Sequence, residues 1–459
     1  MNRIVKTSMA AALILMLGSC NIYKKYEMPT ADSAIVADYA KASAEVADST
    51  SLPYLGWERV FTDPQLQSLI RLAIENNKDL ENARLNIEIA RAQLKGAKLS
   101  YFPSAALNIN GAGASYDHSP ISWTYQIPLA LNWEIDAFGK ILNRKRGAQV
   151  GVEQMEAYRQ AAQSQIVCGV ANVYYSLVLL NQQLDLTRRT AEIWKEQVES
   201  MELMKEAAYV DEAAVVQSRA NYFNLLSSIP DLEQQIHLTQ NTLSLLLNTY
   251  PQKWEVTSQL TFDLPTDLTK GIPVSYLAAR PDVKAAERAF AVAYYATNSA
   301  RANFYPSLSI SSNGGFTNLL GSFITNPGKW FVQLAGSLVA PLFSRGQNIA
   351  ALQAAKAQQQ QALNNFEYSV LNASAEVSDA LVKLEKNSQK HEYILQQIDQ
   401  LEKSVEYTQE LLQYKRGTTY LEVLTARSSL LQAQLSSLAC WHSRATALIQ
   451  LYQAVGGGR

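Results

Sequence analysis

The sequence predicts a mixed α and β membrane protein, in which long helical hairpins carry short membrane-crossing strands and the whole is two copies of one pattern. Three observations predict this. Residues 347–416 run for 70 positions without glycine or proline, enough for about 105 Å of unbroken helix at 1.5 Å per residue. From Trp123 to Ile135 every odd position is apolar, the period of a strand with one dry and one wet face. Short segments also return at nearly constant offsets. Ser100-Tyr101-Phe102-Pro103-Ser104 returns as Asn303-Phe304-Tyr305-Pro306-Ser307 after 203 residues, Ala171–Leu177 as Ala375–Leu381 after 204, and Gln217-Ser218-Arg219 as Thr425-Ala426-Arg427 after 208, the mark of an internal repeat.

Composition narrows the function classes. The 459 residues are 47% hydrophobic and 18% charged, a folded balance. Forty basic against 41 acidic residues leave no field for nucleic acid. Three cysteines and four scattered histidines exclude a disulfide scaffold and a Cys-rich metal site and count against a metalloenzyme.

Taken in order, residues 1–19 read as an export signal: Arg3 and Lys6, a short apolar run, then small residues. Leu17-Gly18-Ser19-Cys20 resembles a bacterial lipobox, which makes Cys20 the acylated first residue of the mature chain. Several acyl chains such as palmitate would tether it firmly. Asn21 follows rather than an aspartate, which points to the outer membrane. An extended segment, 20–63, leads into the first repeat, 64–249. That repeat holds a helix, two strands within 103–136, a long helix 140–209 and a partner helix 211–248, kinked by Pro230. A linker, 250–279, leads to the second repeat, 280–455, with strands within 306–342 and helices 346–416 and 418–455; residues 456–459 form a tail. Ile394, Ile398, Leu401, Val405, Thr408 and Leu412 step by four and three, a heptad seam with one polar exception.

The strands favour a membrane barrel over a half-buried soluble sheet. The row Trp123, Tyr125, Ile127, Leu129, Leu131, Trp133 and Ile135 carries aromatics towards both ends, while polar groups dominate the even positions. The second copy repeats it from Trp330 through Val332, Leu334, Gly336, Leu338 and Ala340 to Leu342. Four strands cannot close a barrel, and an open edge in lipid strands backbone groups that cost several kcal/mol each. Copies must therefore assemble: two chains would supply eight strands, three would supply twelve and leave room for water.

The ordered set Trp57 with Asp63-Pro64-Gln65-Leu66, Asn77-Lys78-Asp79-Leu80, Tyr101–Ser104, Trp133–Gly139, Ala279-Arg280-Pro281-Asp282-Val283, Phe304–Leu308 and Ala454–Gly458 resembles the TolC-like outer-membrane efflux family, in its lipoprotein branch. The resemblance covers essentially everything after Cys20. It implies a homotrimer with a twelve-stranded β-barrel in outer-membrane lipid, continued by a periplasmic α-barrel with an equatorial belt. It further implies an exit duct for small molecules, fed by an inner-membrane pump, most simply of the RND type, through a periplasmic adaptor. Metal-ion efflux and type I protein secretion share that architecture. A reading of another class is a non-conducting lipoprotein that spans the periplasm.

By the family match, Glu422 and Thr425 face the pore one helical turn apart. Three copies of Glu422 would form a carboxylate ring that attracts cations and raises its own proton affinity. Thr425 replaces the family's common aspartate. Tyr414 matches a tyrosine that locks helices together, with Asp211 and Glu212 as possible partners for Lys415 or Arg416. Gly417 and Thr418 match the tip that docks the adaptor, and Ala208-Tyr209 stands where the first tip usually has a glycine. Cys168 and Cys440 read as small buried hydrophobes, His391-Glu392 lacks a zincin's second histidine, and no nucleophile or phosphate motif appears. The expectation is a non-enzyme without a cofactor, apart from the covalent lipid on Cys20.

Overall fold

The computed structural model describes residues 23–30, 33–44, 55–115, 117–257, 275–317, 329–414 and 420–458. The export signal and Cys20 lie outside them, as do Gly417 and Thr418. The chain divides into two compact units, one of residues 1–36, 84–157 and 284–369, the other of 37–83, 158–283 and 370–459.

The first unit holds one antiparallel sheet. Its strands are β1 (Ser104–Leu107), β2 (Asn110–Ala114), β3 (Ser122–Ile135), β4 (Ser307–Thr317) and β5 (Lys329–Val339), in the order β1-β3-β4-β5 with β2 also on β3. β1 and β2 are one lane of the sheet. Ser104 pairs with Asn132 and Asn110 with Gln126, so the register continues unbroken across the gap. The gap faces Pro128: the Asn108 N–H donates to its carbonyl at 3.1 Å, but the ring has no N–H to return. On its other side Pro128 pairs with Gly315, where a Cβ would stand 2.0 Å from the Ile127 carbonyl oxygen. Only glycine fits opposite this proline.

The register sorts the side chains by face. Ile127, Leu129, Leu131, Trp133 and Ile135 pair with Phe316, Gly314, Ser312, Ile310 and Leu308, and these pair in turn with Trp330, Val332, Leu334, Gly336 and Leu338. One face is therefore an almost continuous apolar surface, with Trp123 and Trp330 at one end and Trp133 near the other. The other face carries Gln126, Asn132 and Glu134, Ser309, Ser311 and Asn313, and Gln333 and Ser337. β5 ends at Val339, so Ala340 and Leu342 fall beyond the strand. Among the described residues no strand covers the outer edge of β1 and β2 or of β5.

Helices α1 (Ala34–Ala44), α2 (Trp57–Val60), α3 (Pro64–Asn76) and α4 (Lys78–Leu99) precede the sheet. α5 (Lys140–Glu206) and α6 (Glu212–Leu246) follow β3; α7 (Ser275–Ala278) and α8 (Pro281–Ala302) precede β4; α9 (Gln347–Tyr414) and α10 (Tyr420–Ala454) follow β5. α5 and α9 are 67 and 68 residues long. α5 stops at Glu206 rather than 209 because the chain turns into a left-handed cap: Ala208 has φ +58°, its N–H donates to Lys205 O at 2.9 Å, and Tyr209 N–H reaches back to Met204 O at 2.8 Å. This is a Schellman ending with alanine where glycine is usual. α6 ends the same way at Asn248 and α10 at Gly456. α6 passes through Pro230 without a break.

Candidate functional site

The motifs that carry the resemblance are first of all supports of the fold. Asp63 caps α3, accepting from Gln65 N–H at 2.8 Å, while its other oxygen accepts from the Tyr174 hydroxyl at 2.7 Å. Asn77 accepts from Asp79 and Leu80 N–H and donates to Leu246 O at 2.9 Å, tying α4 to the end of α6. Arg280, 5% exposed, forks onto Asp282 at 3.1 and 2.7 Å, reaches Glu376 at 2.7 Å and donates to Ala454 O at 2.8 Å. Burial opposes its charge, but the two carboxylates outweigh it and hold the guanidinium above its ordinary range. Gly457 packs under the Tyr452 ring so closely that a Cβ would lie 2.2 Å from it.

In the first unit, Tyr101 and Asp136 bring the YFPS and WEIDAFG segments together. The Tyr101 hydroxyl donates to Asp136 at 3.4 Å, and the Trp133 indole donates to Tyr101 O at 2.9 Å. Asp136 also caps α5 through Ile141 and Leu142 N–H. Burial, reinforced by Asp136, pushes the Tyr101 hydroxyl up to about 12. Phe138 stacks on Tyr305 of the second FYPS copy at 5.2 Å. On the apolar face of the sheet Trp123, Leu129, Leu131, Trp133 and Trp330 are all exposed, while Tyr125, Ile127 and Ile135 are half-buried.

At the hairpin tips of the second unit, Tyr420 opens α10 with its ring buried. It packs with Met201 of α5, Val215 of α6 and Leu424, and Leu412 of α9 leans against them. The four long helices share this small core. The Tyr420 hydroxyl is hydrogen-bonded to Ser218, and burial raises its proton affinity. Arg427, also half-buried, is lowered by desolvation against the pull of Tyr420 and Glu196. Neither residue was singled out from sequence, although an aromatic three residues after a tip glycine was a usable signal.

Glu422 and Thr425 are both exposed, whereas Val423, Leu424 and Ala426 between and beside them are buried. The two sit one turn apart on one face, and Glu422 is the only acidic residue of α10. The Thr425 hydroxyl donates within the helix to Leu421 O at 2.7 Å. Tyr414, 85% exposed, closes α9. Ala208 and Tyr209 form the first tip, with Tyr209 largely exposed. Asp211 and Glu212 are engaged inside the first hairpin: Asp211 caps α6 through Ala214 N–H at 3.0 Å, and Glu212 pairs with Lys205. The Lys205 hydrogen bond holds the Glu212 carboxyl below its ordinary range. Lys415 and Arg416 lie outside the described residues.

Cys168 and Cys440 are free thiols and both buried; burial pushes Cys168 up to about 12. Among the described residues no group of three or more His, Cys, Asp or Glu is placed to hold a metal ion.

An apolar-faced four-lane sheet joined to paired helices of this length defines the TolC-like class of outer-membrane channels. A solved CusC structure superposes with a TM-score of 0.86 at 25% identity, over 95% of this chain and 100% of that one. The sequence model described as outer membrane efflux protein matches residues 69–249 and 272–457, two stretches that begin 203 residues apart and end 208 apart, the same offsets as the repeats. The chain belongs to the outer membrane efflux protein family. Relatives include the probable outer membrane lipoprotein SilC of Salmonella typhimurium, 28% identical over 98% of this chain and 97% of that protein. The cation efflux system protein CusC of Escherichia coli is 28% identical over 88% and 89%. The toluene efflux pump outer membrane protein TtgC of Pseudomonas putida is 27% identical over 98% and 94%.

Proposed function

We propose that three copies of the chain close a twelve-stranded barrel in the outer membrane and form the passive exit duct of a tripartite pump for small toxic molecules. The observation that carries this is the sheet itself: four lanes, two uncovered edges among the described residues and one apolar face, a combination lipid does not tolerate unless copies seal the edges. The inner-membrane partner is a pump of the RND type and the bridge a periplasmic adaptor, received at Gly417, Thr418, Ala208 and Tyr209. Cys20 carries the anchoring lipid. Tyr23, three residues on, lies against Gly139 and accepts from Arg146 at 3.2 Å; three residues span at most about 10 Å, so the acyl chains enter the bilayer beside the β3–α5 junction.

Glu422, with Thr425 below it and Tyr414 across the tip, lines the narrow end of the duct. Three copies of Glu422 favour cations over anions there. Thr425 adds no charge, because a hydroxyl is neutral, and its proton is donated to Leu421 O within its own helix. Metal-ion efflux is a second reading, supported by the cation efflux protein CusC among the relatives. The test is reversal-potential measurement on the purified protein in planar bilayers: Glu422→Gln lowers cation-over-anion selectivity while leaving assembly intact. Unchanged selectivity removes Glu422 from the constriction, and a protein that never conducts removes the duct.

A further inference from the structure

Four chain junctions connect the sheet to helices, and all lie at one end of it, because Ser104 pairs with Asn132 near the end of β3 and Ser307 pairs with Val339 at the end of β5. Each junction carries a basic residue at nearly the same distance from its strand. Lys98 stands six residues before β1, Lys140 five after β3, Arg301 six before β4 and Arg345 six after β5. All four are exposed. Arg144 adds a fifth charge one turn along α5.

Acids do not balance them. Between residues 98 and 107, 301 and 310, and 339 and 348 there is no Asp or Glu. At the remaining junction Asp136 is consumed in capping α5 and accepting from Tyr101. Glu134 is 3.8 Å from Lys140, the one ion pair made by these five cations among the described residues; since Glu134 stands on the polar face of the sheet, it draws Lys140 away from the apolar side. The local excess is not compositional, since the chain as a whole carries a net charge of −1.

Between the apolar face and these cations lies a band of exposed aromatics: Phe102, Trp133, Phe304, Tyr305 and Phe343. The order along each junction is therefore apolar strand, aromatic band, cation. That is the order of the hydrocarbon, the interface and the phosphates in a bilayer. Long basic side chains bury their stems and place the charge at headgroup depth.

We infer that Lys98, Arg301 and Arg345 form a collar that binds the headgroups of anionic phospholipids in the periplasmic leaflet of the outer membrane. The inference rests on the proposed reading of the sheet as the membrane barrel. A cation facing a charged headgroup contributes a preference of about five-fold over a zwitterionic lipid at low salt, and added salt weakens it.

The test uses the full-length, lipidated protein in liposomes, with Trp123→Phe and Trp330→Phe so that Trp133 is the lipid-facing reporter. Brominated phosphatidylglycerol and brominated phosphatidylcholine compete to quench it. The collar predicts a phosphatidylglycerol preference of about five-fold that falls to about one when the three residues are changed to Gln. The preference should survive Lys98→Arg, Arg301→Lys and Arg345→Lys. Equal quenching by both lipids in the starting protein, or a preference that the Gln variant keeps, overturns the collar while leaving the barrel standing. Loss of the preference to inorganic phosphate, but not to chloride at matched ionic strength, also overturns it, by making the collar a site for free anions. Failure of either lipid to quench overturns both collar and barrel.

Discussion

Replacing Arg280 with Ala tests whether the Ala-Arg-Pro-Asp-Val segment holds the second unit together. The guanidinium is buried, and its shortest neutral contact is the bond to Ala454 O at 2.8 Å. A charge-assisted hydrogen bond to a carbonyl contributes about 1.5–3 kcal/mol, and the orphaned acceptor adds its own desolvation cost. Asp282 and Glu376 are about half exposed, so water re-solvates them and their pairing is discounted to well under 1 kcal/mol each. The groove beside Arg280 admits water and limits the cavity penalty. The sum is a loss of about 2–3 kcal/mol, with Arg280→Lys in between, because it keeps the charge but not the fork. Burial pushes the Asp282 carboxyl up, yet the Arg280 hydrogen bond and charge outweigh this and leave it below its ordinary range. A depressed acid stabilises above its unfolded pKa and loses that contribution as pH falls through the folded value. Stability of the starting protein therefore drops below about pH 4, and this part of the drop is missing in Arg280→Ala. Urea unfolding in detergent, followed by tryptophan fluorescence at several pH values, reads both effects. An Arg280→Ala change under about 0.5 kcal/mol, or Lys as damaging as Ala, refutes the reasoning.

Ala208→Gly relieves a left-handed φ that costs an L-residue about 1–2 kcal/mol, partly offset by the flexibility glycine adds to the unfolded chain. Exchange of the Tyr209 amide, bonded to Met204 O, should slow by about five-fold; unchanged exchange shows that the cap is not limiting. Leu129→Lys places a charge at the middle of the exposed apolar face of β3 at a cost of about 2–4 kcal/mol in lipid and should block membrane insertion. Asn132→Lys, on the opposite face, should insert normally. The reverse result, read by membrane fractionation, inverts the two faces.

The long helices are legible because little in them stops a helix, and the strands because every odd position from Trp123 to Ile135 is apolar. Such local patterns report which face of an element is dry. They do not report which element lies against it. The interruption between β1 and β2 depends on Pro128 in the neighbouring strand, fixed by a register that no single segment encodes. Arg280 finds Ala454, 174 residues away, and Tyr420 finds Met201 and Val215 in the other hairpin. The gate candidates Glu422, Thr425 and Tyr414 and the tip candidates Gly417, Thr418, Ala208 and Tyr209 are legible as single positions, whereas the core around Tyr420 is a long-range product of packing. Glu212 illustrates the limit: an acid near a tip has several basic residues within reach, and geometry selects Lys205.

The internal repeat bears on the proposed gate more directly than any one residue. At the offset of 208 that aligns Gln217 with Thr425, Val215 falls on Val423 and Ser218 on Ala426, and all four are buried. The two hairpins thus turn the same face inward, and the positions between can be compared. Glu422 falls on Ala214, and Thr425 on Gln217. The acid therefore belongs to the second hairpin alone, with a methyl group at its counterpart. Three assembled chains would set six hairpin tips around the duct, alternating carboxylate and methyl. Neighbouring Glu422 residues would then be separated by a methyl group at the same position, which weakens their mutual repulsion relative to a six-carboxylate ring, since Coulomb energy falls with distance. Changing Ala214 to Glu should add carboxylates at that depth and raise cation-over-anion selectivity. Reversal-potential measurement in planar bilayers reads it; unchanged selectivity means Ala214 does not share the depth of Glu422.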